Sequence, residues 1–128
     1  MKRNTMIALA IASAFGLASQ QALAGDAAKG AELFKKKCTS CHSIEQGGKD
    51  KVGPNLHGIA GKASAKSETF AAKYSADMKA SGLTWDDATL DKFLIKPKDL
   101  VKGTKMTFAG LTDQAERADV IAYMNTMK

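Results

Sequence analysis

Lys37-Cys38-Thr39-Ser40-Cys41-His42 is the stretch from which the rest of the chain is read. Its two cysteines are the only ones in the sequence, and a histidine directly follows the second. Cys-x-x-Cys-His is the attachment pattern of a c-type haem. The spacing sets two thiols about one helical turn apart, so each can form a thioether to one of two vinyl groups on the same porphyrin edge. The next residue then falls under the ring, where an imidazole can bind iron as the proximal ligand. Three other readings use the same residues. A thioredoxin-like redox pair belongs at the head of a helix inside a βαβ pattern, and this chain has almost no strand signal. A structural zinc site usually takes four protein ligands. Cys38, Cys41, His42 and His57 are the only soft candidates, and the adjacent Cys41 and His42 suit one tetrahedron poorly. A disulfide between Cys38 and Cys41 would close too small a loop to stabilise much. Haem attachment fits best.

With 128 residues the chain has room for one domain. Its first 24 residues read as a cleaved signal peptide. Lys2-Arg3 is a basic start, Met6 to Ala18 an apolar run, and Ala22-Leu23-Ala24 a small-x-small cleavage site. The apolar run is shorter than the roughly 20 residues a membrane span needs, and no cysteine is there to take a lipid. The expected organisation is a leader over 1–24 and one domain over 25–128, exported to the periplasm with no stable membrane anchor. Losing Lys2 and Arg3 lowers the formal charge from +6 to +4, before haem propionates are counted. Arg117 is the only arginine left. Arginine is the preferred reader of bases and an exported protein meets little nucleic acid, so a protein partner with an acidic face is the better expectation. The core inventory after the leader is thin: Phe34, Phe70, Phe93, Phe108, Tyr74, Tyr123 and Trp85, with few branched aliphatics. A large apolar cofactor would make up much of that deficit.

In order along the chain, Asp26 reads as an N-cap, and Ala27, Gly30, Ala31 and Phe34 form an apolar stripe that predicts a helix over 26–38. Residues 43–66 have no sustained period and are punctuated by glycines and Pro54, which reads as a long ordered loop. Such a loop needs something to wrap. Ser67 to Ser81 is a weaker helical stretch, broken near Tyr74-Ser75. Thr84 is the expected N-cap of a clearer helix with Leu90, Phe93 and Leu94 on its apolar face, stopped by Pro97. Residues 98–111 read as irregular. Asp113 and Glu116, three apart, open a last helix that runs to the end.

The candidates for the second axial position are His57 and Met78, Met106, Met124 and Met127. Met124 and Met127 sit on the last helix and Met78 in a helical stretch, where methionine is usually packing. His57 lies in the glycine-rich loop close after His42, where a hydrogen-bonding role is expected. Met106 stands in a loop beside Gly103 and Thr104, with no helical face to serve.

Four segments together make the chain resemble a class I cytochrome c, of the cytochrome c2 and mitochondrial-type branch. They are Cys38-Thr39-Ser40-Cys41-His42, Lys51-Val52-Gly53-Pro54-Asn55-Leu56-His57-Gly58, Gly103-Thr104-Lys105-Met106-Thr107-Phe108-Ala109-Gly110 and Glu116-Arg117-Ala118-Asp119-Val120-Ile121-Ala122-Tyr123. The resemblance covers residues 25–128. It implies an all-α fold, with three main helices plus short helices and long loops wrapped around one haem c bound covalently through Cys38 and Cys41. It implies His42 and Met106 as axial ligands, Pro54 as acceptor of the His42 imidazole N–H, and Tyr74 and Trp85 as donors to a haem propionate. Gly30 and Tyr123 would lie where the first and last helices cross. The sequence departs from the family at Lys102, where proline is common, at Phe93 in place of a tyrosine, and near Met78 in place of an asparagine.

The function this implies is a monomeric, single-haem carrier that shuttles one electron and transforms no substrate. Its partners would be redox proteins such as a bc1-type complex, a terminal oxidase, a reaction centre or a dehydrogenase. Lys37, Lys51, Lys98, Lys102 and Lys105 would ring the exposed haem edge. The alternative is a haem enzyme or gas sensor with a labile sixth ligand.

Overall fold

The computed structural model describes residues 24–128. The expected leader lies outside the described residues except for Ala24, which is exposed. Five helices follow in order: α1 (Ala27–Lys37), α2 (Ala76–Ala80), α3 (Asp87–Ile95), α4 (Pro97–Leu100) and α5 (Gln114–Thr126). Among the described residues no strand forms, and Ala63 and Thr84 make an isolated antiparallel bridge. This is the small all-α fold expected from the sequence, with α1, α3 and α5 as its main helices.

The frame is the crossing of α1 and α5. Asp26 starts α1 by accepting the amides of Ala28 and Lys29 at 2.9 and 3.2 Å, and Lys35, Lys36 and Lys37 suit the negative end of the helix dipole. Gly30 lets the helices touch: a Cβ there would overlap the backbone carbonyl of Asp119. Phe34 packs edge-on against Tyr123, ring centres 5.5 Å apart. α3 adds Leu90, Phe93 and Leu94 to the same core. Buried Arg117 joins the pieces. Its Nε donates to Asp91 of α3 at 2.7 Å, and its Nη1 donates to the carbonyls of Leu111 and Thr112 at 2.9 and 3.0 Å. A buried guanidinium needs this full set of acceptors.

Three expected boundaries are corrected. Residues 67–75 are not helical. They make turns with bonds such as Lys73 N–H to the Phe70 carbonyl at 2.9 Å, because Phe70 alone of 67–74 is buried and there is no apolar stripe to hold a helix. Only 76–80 of that stretch becomes α2, capped by Ser75. The N-cap of α3 is Asp86, not Thr84. Ser64 N–H donates to Leu83 and Trp85 N–H to Lys62, each at 2.8 Å, so residues 83–85 are held extended and the helix begins later. The irregular stretch after Pro97 contains a turn of helix, α4, because proline suits the first helical position.

Candidate haem-binding site

A cavity of about 750 Å³ opens between the loops and the α1, α3 and α5 core. Cys38, Cys41, His42, Tyr74, Trp85 and Met106 all line it. Most of the remaining lining is apolar, including Phe34, Leu90, Phe93, Leu94 and Val120. The two thiols are free rather than bridged. They lie on the turn that continues α1, where Cys41 and His42 amides both donate to the Cys38 carbonyl, at 3.0 and 2.9 Å. Burial and the neighbouring Cys41 push the Cys38 thiol up to about 11.

His42 is buried and lies 2.7 Å, at Nδ1, from the Pro54 carbonyl. A carbonyl can only accept, so Nδ1 carries the proton and donates. That leaves the Nε2 lone pair to bind a metal. Burial lowers the pKa of the imidazole, against the opposing pull of the Pro54 bond, and Lys51 adds to the lowering. The ring is therefore held neutral, as a ligand requires. Gly53 is needed beside it, because a Cβ at that position would overlap the ring. The proximal loop is braced from behind. Ser43 Oγ donates to the Lys49 carbonyl, and Asn55 Nδ2 donates to Ser43 Oγ, both at 2.7 Å. Asp50 accepts the Asn55 amide at 2.8 Å. A Thr69 hydroxyl bond and this amide hold the Asp50 carboxyl below its usual range. His57 stays out of the cavity lining, with Nδ1 donating to the Ile44 carbonyl at 3.1 Å.

Met106 is half-buried on the loop between α4 and α5. Its N–H donates to Thr104 Oγ1 at 3.2 Å. Lys105 Nζ donates to the Lys73 carbonyl at 3.1 Å, fastening this loop to residues 67–74. Gly103 packs under Asp77 of α2 so closely that a Cβ would overlap the carboxylate. Tyr74 stands edge-on to Phe70 at 5.0 Å, and burial raises the pKa of its phenol. Trp85 is buried against Phe93, ring centres 4.9 Å apart.

These residues fit a haem. The cavity suits a large apolar ring, two free thiols stand one turn apart, and a neutral imidazole has its outer nitrogen already engaged. Three lining residues were not anticipated. Met78 reads as packing in the sequence, yet it faces the cavity while packing on the core. Lys73 joins Lys37 and Lys105 at the rim, whereas Lys98 and Lys102 are exposed and do not line it. Val52 is 79% exposed at the mouth. Met78 and Lys73 lie outside the four family segments, and Val52 lies within one, but only the fold brings all three to the opening.

The Cytochrome c family model matches residues 27–128. A cytochrome c of Theileria parva is 49% identical over 100 residues, covering 78% of this chain and 84% of that protein. Cytochrome c-554 of Methylosinus trichosporium is 42% identical over 126 residues, covering 98% of this chain and 93% of that one. The cytochrome cy of Rhodobacter capsulatus is 49% identical over 105 residues, covering 82% of this chain but 51% of its own length. With the match running across the whole described fold, the chain belongs to the cytochrome c family, a family of electron carriers whose cofactor is a covalently bound haem c.

Proposed function

We propose that this electron carrier is exported, works in the periplasm, and holds its iron between His42 and Met106. The observation that carries the ligand assignment is the pair of donors in one apolar cavity, a neutral buried imidazole and a loop thioether. When bound, the haem supplies a one-electron Fe(III)/Fe(II) couple whose potential rises with methionine ligation. The chain's own residues do the rest. Cys38 and Cys41 anchor one edge, and Pro54 fixes the imidazole orientation. Thr104 and Lys105 hold the methionine loop closed, and the apolar lining excludes water. Tyr74 and Trp85 serve the propionates. With His42 and Met106 both holding the iron, the chain would leave no open site for oxygen or peroxide, which would suit a carrier rather than an enzyme or sensor. The lysines at the rim suit an acidic redox protein. Export is supported by Lys2-Arg3, the apolar run and Ala22-Leu23-Ala24.

The ferric spectrum tests the reading. A low-spin protein with a weak near-infrared sulfur-to-iron band is expected. Met106→Ala should keep the haem attached, lose that band, lower the potential and admit cyanide. An unchanged spectrum in this variant would falsify the Met106 assignment, and a high-spin ferric spectrum in the parent protein would favour the enzyme or sensor.

A further inference from the structure

Two consecutive residues of α5, Ala118 and Asp119, are gripped by three residues at the start of the fold. A Cβ at Gly25 would overlap the Ala118 carbonyl, and a Cβ at Gly30 would overlap the Asp119 carbonyl. Between them, the Asp26 N–H donates to Asp119 Oδ1 at 2.7 Å. Ala24, one residue earlier, is exposed while Gly25 is half-buried. Gly25 is thus packed on α5 directly after the Ala22-Leu23-Ala24 pattern of the sequence.

We propose that the Ala24–Gly25 bond is a processing site and that the ammonium freed on Gly25 pairs electrostatically with Asp119, adding a further tie between the start of the fold and α5. The proposal rests on the leader reading above. The cleavage is a hydrolysis by a peptidase that cuts after small side chains. One water is consumed, the carboxylate leaves on Ala24, and the amine stays on Gly25 and takes up a proton. Covalent geometry bounds the outcome. Gly25 N lies at most about 3.7 Å from Asp26 N, and Asp26 N lies 2.7 Å from the Asp119 carboxylate. The new charge is thus within about 6.5 Å of Asp119, inside the screening length of physiological salt. Charge at this position also meets an opposing field, because the N-terminus of α1 carries partial positive charge. Asp26 offsets part of that field, but its carboxylate is turned to the amides of Ala28 and Lys29. Lys29 contributes its amide here. Asp119 is thus the acid bound directly to this segment. Only glycine can stand at 25, since any side chain would strike α5.

The test uses the holoprotein purified after export. Its intact mass is expected to correspond to a chain starting at Gly25; a different start would overturn the processing site. The coupling is measured separately, on holoprotein made to begin at Gly25. Its amino terminus is ¹³C-methylated and titrated by NMR, in the parent and in Asp119→Asn. The asparagine can still accept the Asp26 amide, so the fold contact is retained while the charge is lost. The amine should titrate several tenths of a pH unit higher in the parent than in Asp119→Asn, and this gap should shrink in high salt. Equal values, or a gap that salt leaves unchanged, would overturn the coupling whatever the mass shows.

Discussion

At the scale of single residues, the site depends on what stands directly against its donors. Gly53 is the sharpest case, because any side chain there meets the His42 ring. Gly53→Ala must push the imidazole or the loop, and overpacking of this kind costs about 1–3 kcal/mol. Denaturant unfolding should show that loss. The methionine–iron band should also weaken as the His42–Pro54 bond is strained, and an alanine variant with parental stability and spectrum would contradict the packing. Phe93 is the second case. It is 8% exposed and lines the cavity, so its ring offers the proposed Met106 ligand no hydrogen-bond donor. Phe93→Tyr places a hydroxyl on that wall. A bond from it to the thioether would draw density from sulfur and weaken ligation of ferric iron more than ferrous. One net hydrogen bond is worth about 1 kcal/mol, and about 59 mV accompanies a tenfold change for one electron. The potential should therefore rise by roughly 40 mV, read by redox titration. An unchanged or lower potential would mean that the hydroxyl finds another partner or that Met106 is not the ligand.

At the scale of elements, α3 carries Leu90, Phe93 and Leu94 to the cavity, and its start is fixed by one carboxylate. Asp86 accepts the Thr89 amide at 2.8 Å. The Thr89 amide and then its hydroxyl lower the carboxyl's pKa from the ordinary value of 3.8. A depressed folded pKa contributes stability that is complete above 3.8 and lost as pH falls through the lower folded value. Asp86→Ala should lower the melting temperature at neutral pH. Asp86→Asn should keep a neutral cap, so its melting temperature should fall less steeply than the parent's below pH 3.8. Parallel acid profiles for the parent and the asparagine variant would show that the cap charge does not matter. This helix also shows what was legible in the sequence. Its apolar face could be read from Leu90, Phe93 and Leu94, because helical periodicity is local. Its start could not: Thr84 has the right chemistry for a cap, but the pairing of residues 83–85 with 61–64 holds it extended, and that pairing is long-range. Residues 67–75 were misread for a related reason. Their composition tolerates helix, but Phe70 is the only apolar residue among them that is buried, so no apolar face holds a helix. The site divides the same way. Cys38, Cys41 and His42 announce themselves by spacing, whereas Met78 and Lys73 reach the cavity only because loops far apart in sequence close around it.

At the scale of the whole molecule, charge is distributed unevenly about the cavity. Lys37, Lys73 and Lys105 line it, and no acidic side chain does. Lys51 is exposed nearby, its Nζ donating to the Thr39 carbonyl at 2.7 Å beside the attachment turn. The acids Asp86, Asp87, Asp91, Asp113, Glu116 and Asp119 are carried by α3, α5 and their caps, outside the lining. The local field at the opening is therefore more positive than the formal net charge of +4 expected without Lys2 and Arg3 would give if spread over the surface. Such a field steers an anionic partner and is screened over about 8–10 Å near physiological salt. A small oxidant such as iron hexacyanide isolates the effect, because it has no protein surface of its own. Its rate of electron transfer should fall as salt rises, and a cationic cobalt complex should show the opposite trend. Lys73→Glu should slow the anionic oxidant by about two- to thirtyfold at low salt, since exposed charge pairs are worth roughly 0.2–1 kcal/mol and reversal roughly doubles the change. Lys128→Glu, a reversal of equal charge that does not line the cavity, should slow it less. Equal slowing in the two variants would assign the effect to net charge, and rates indifferent to salt would leave the rim lysines no steering role.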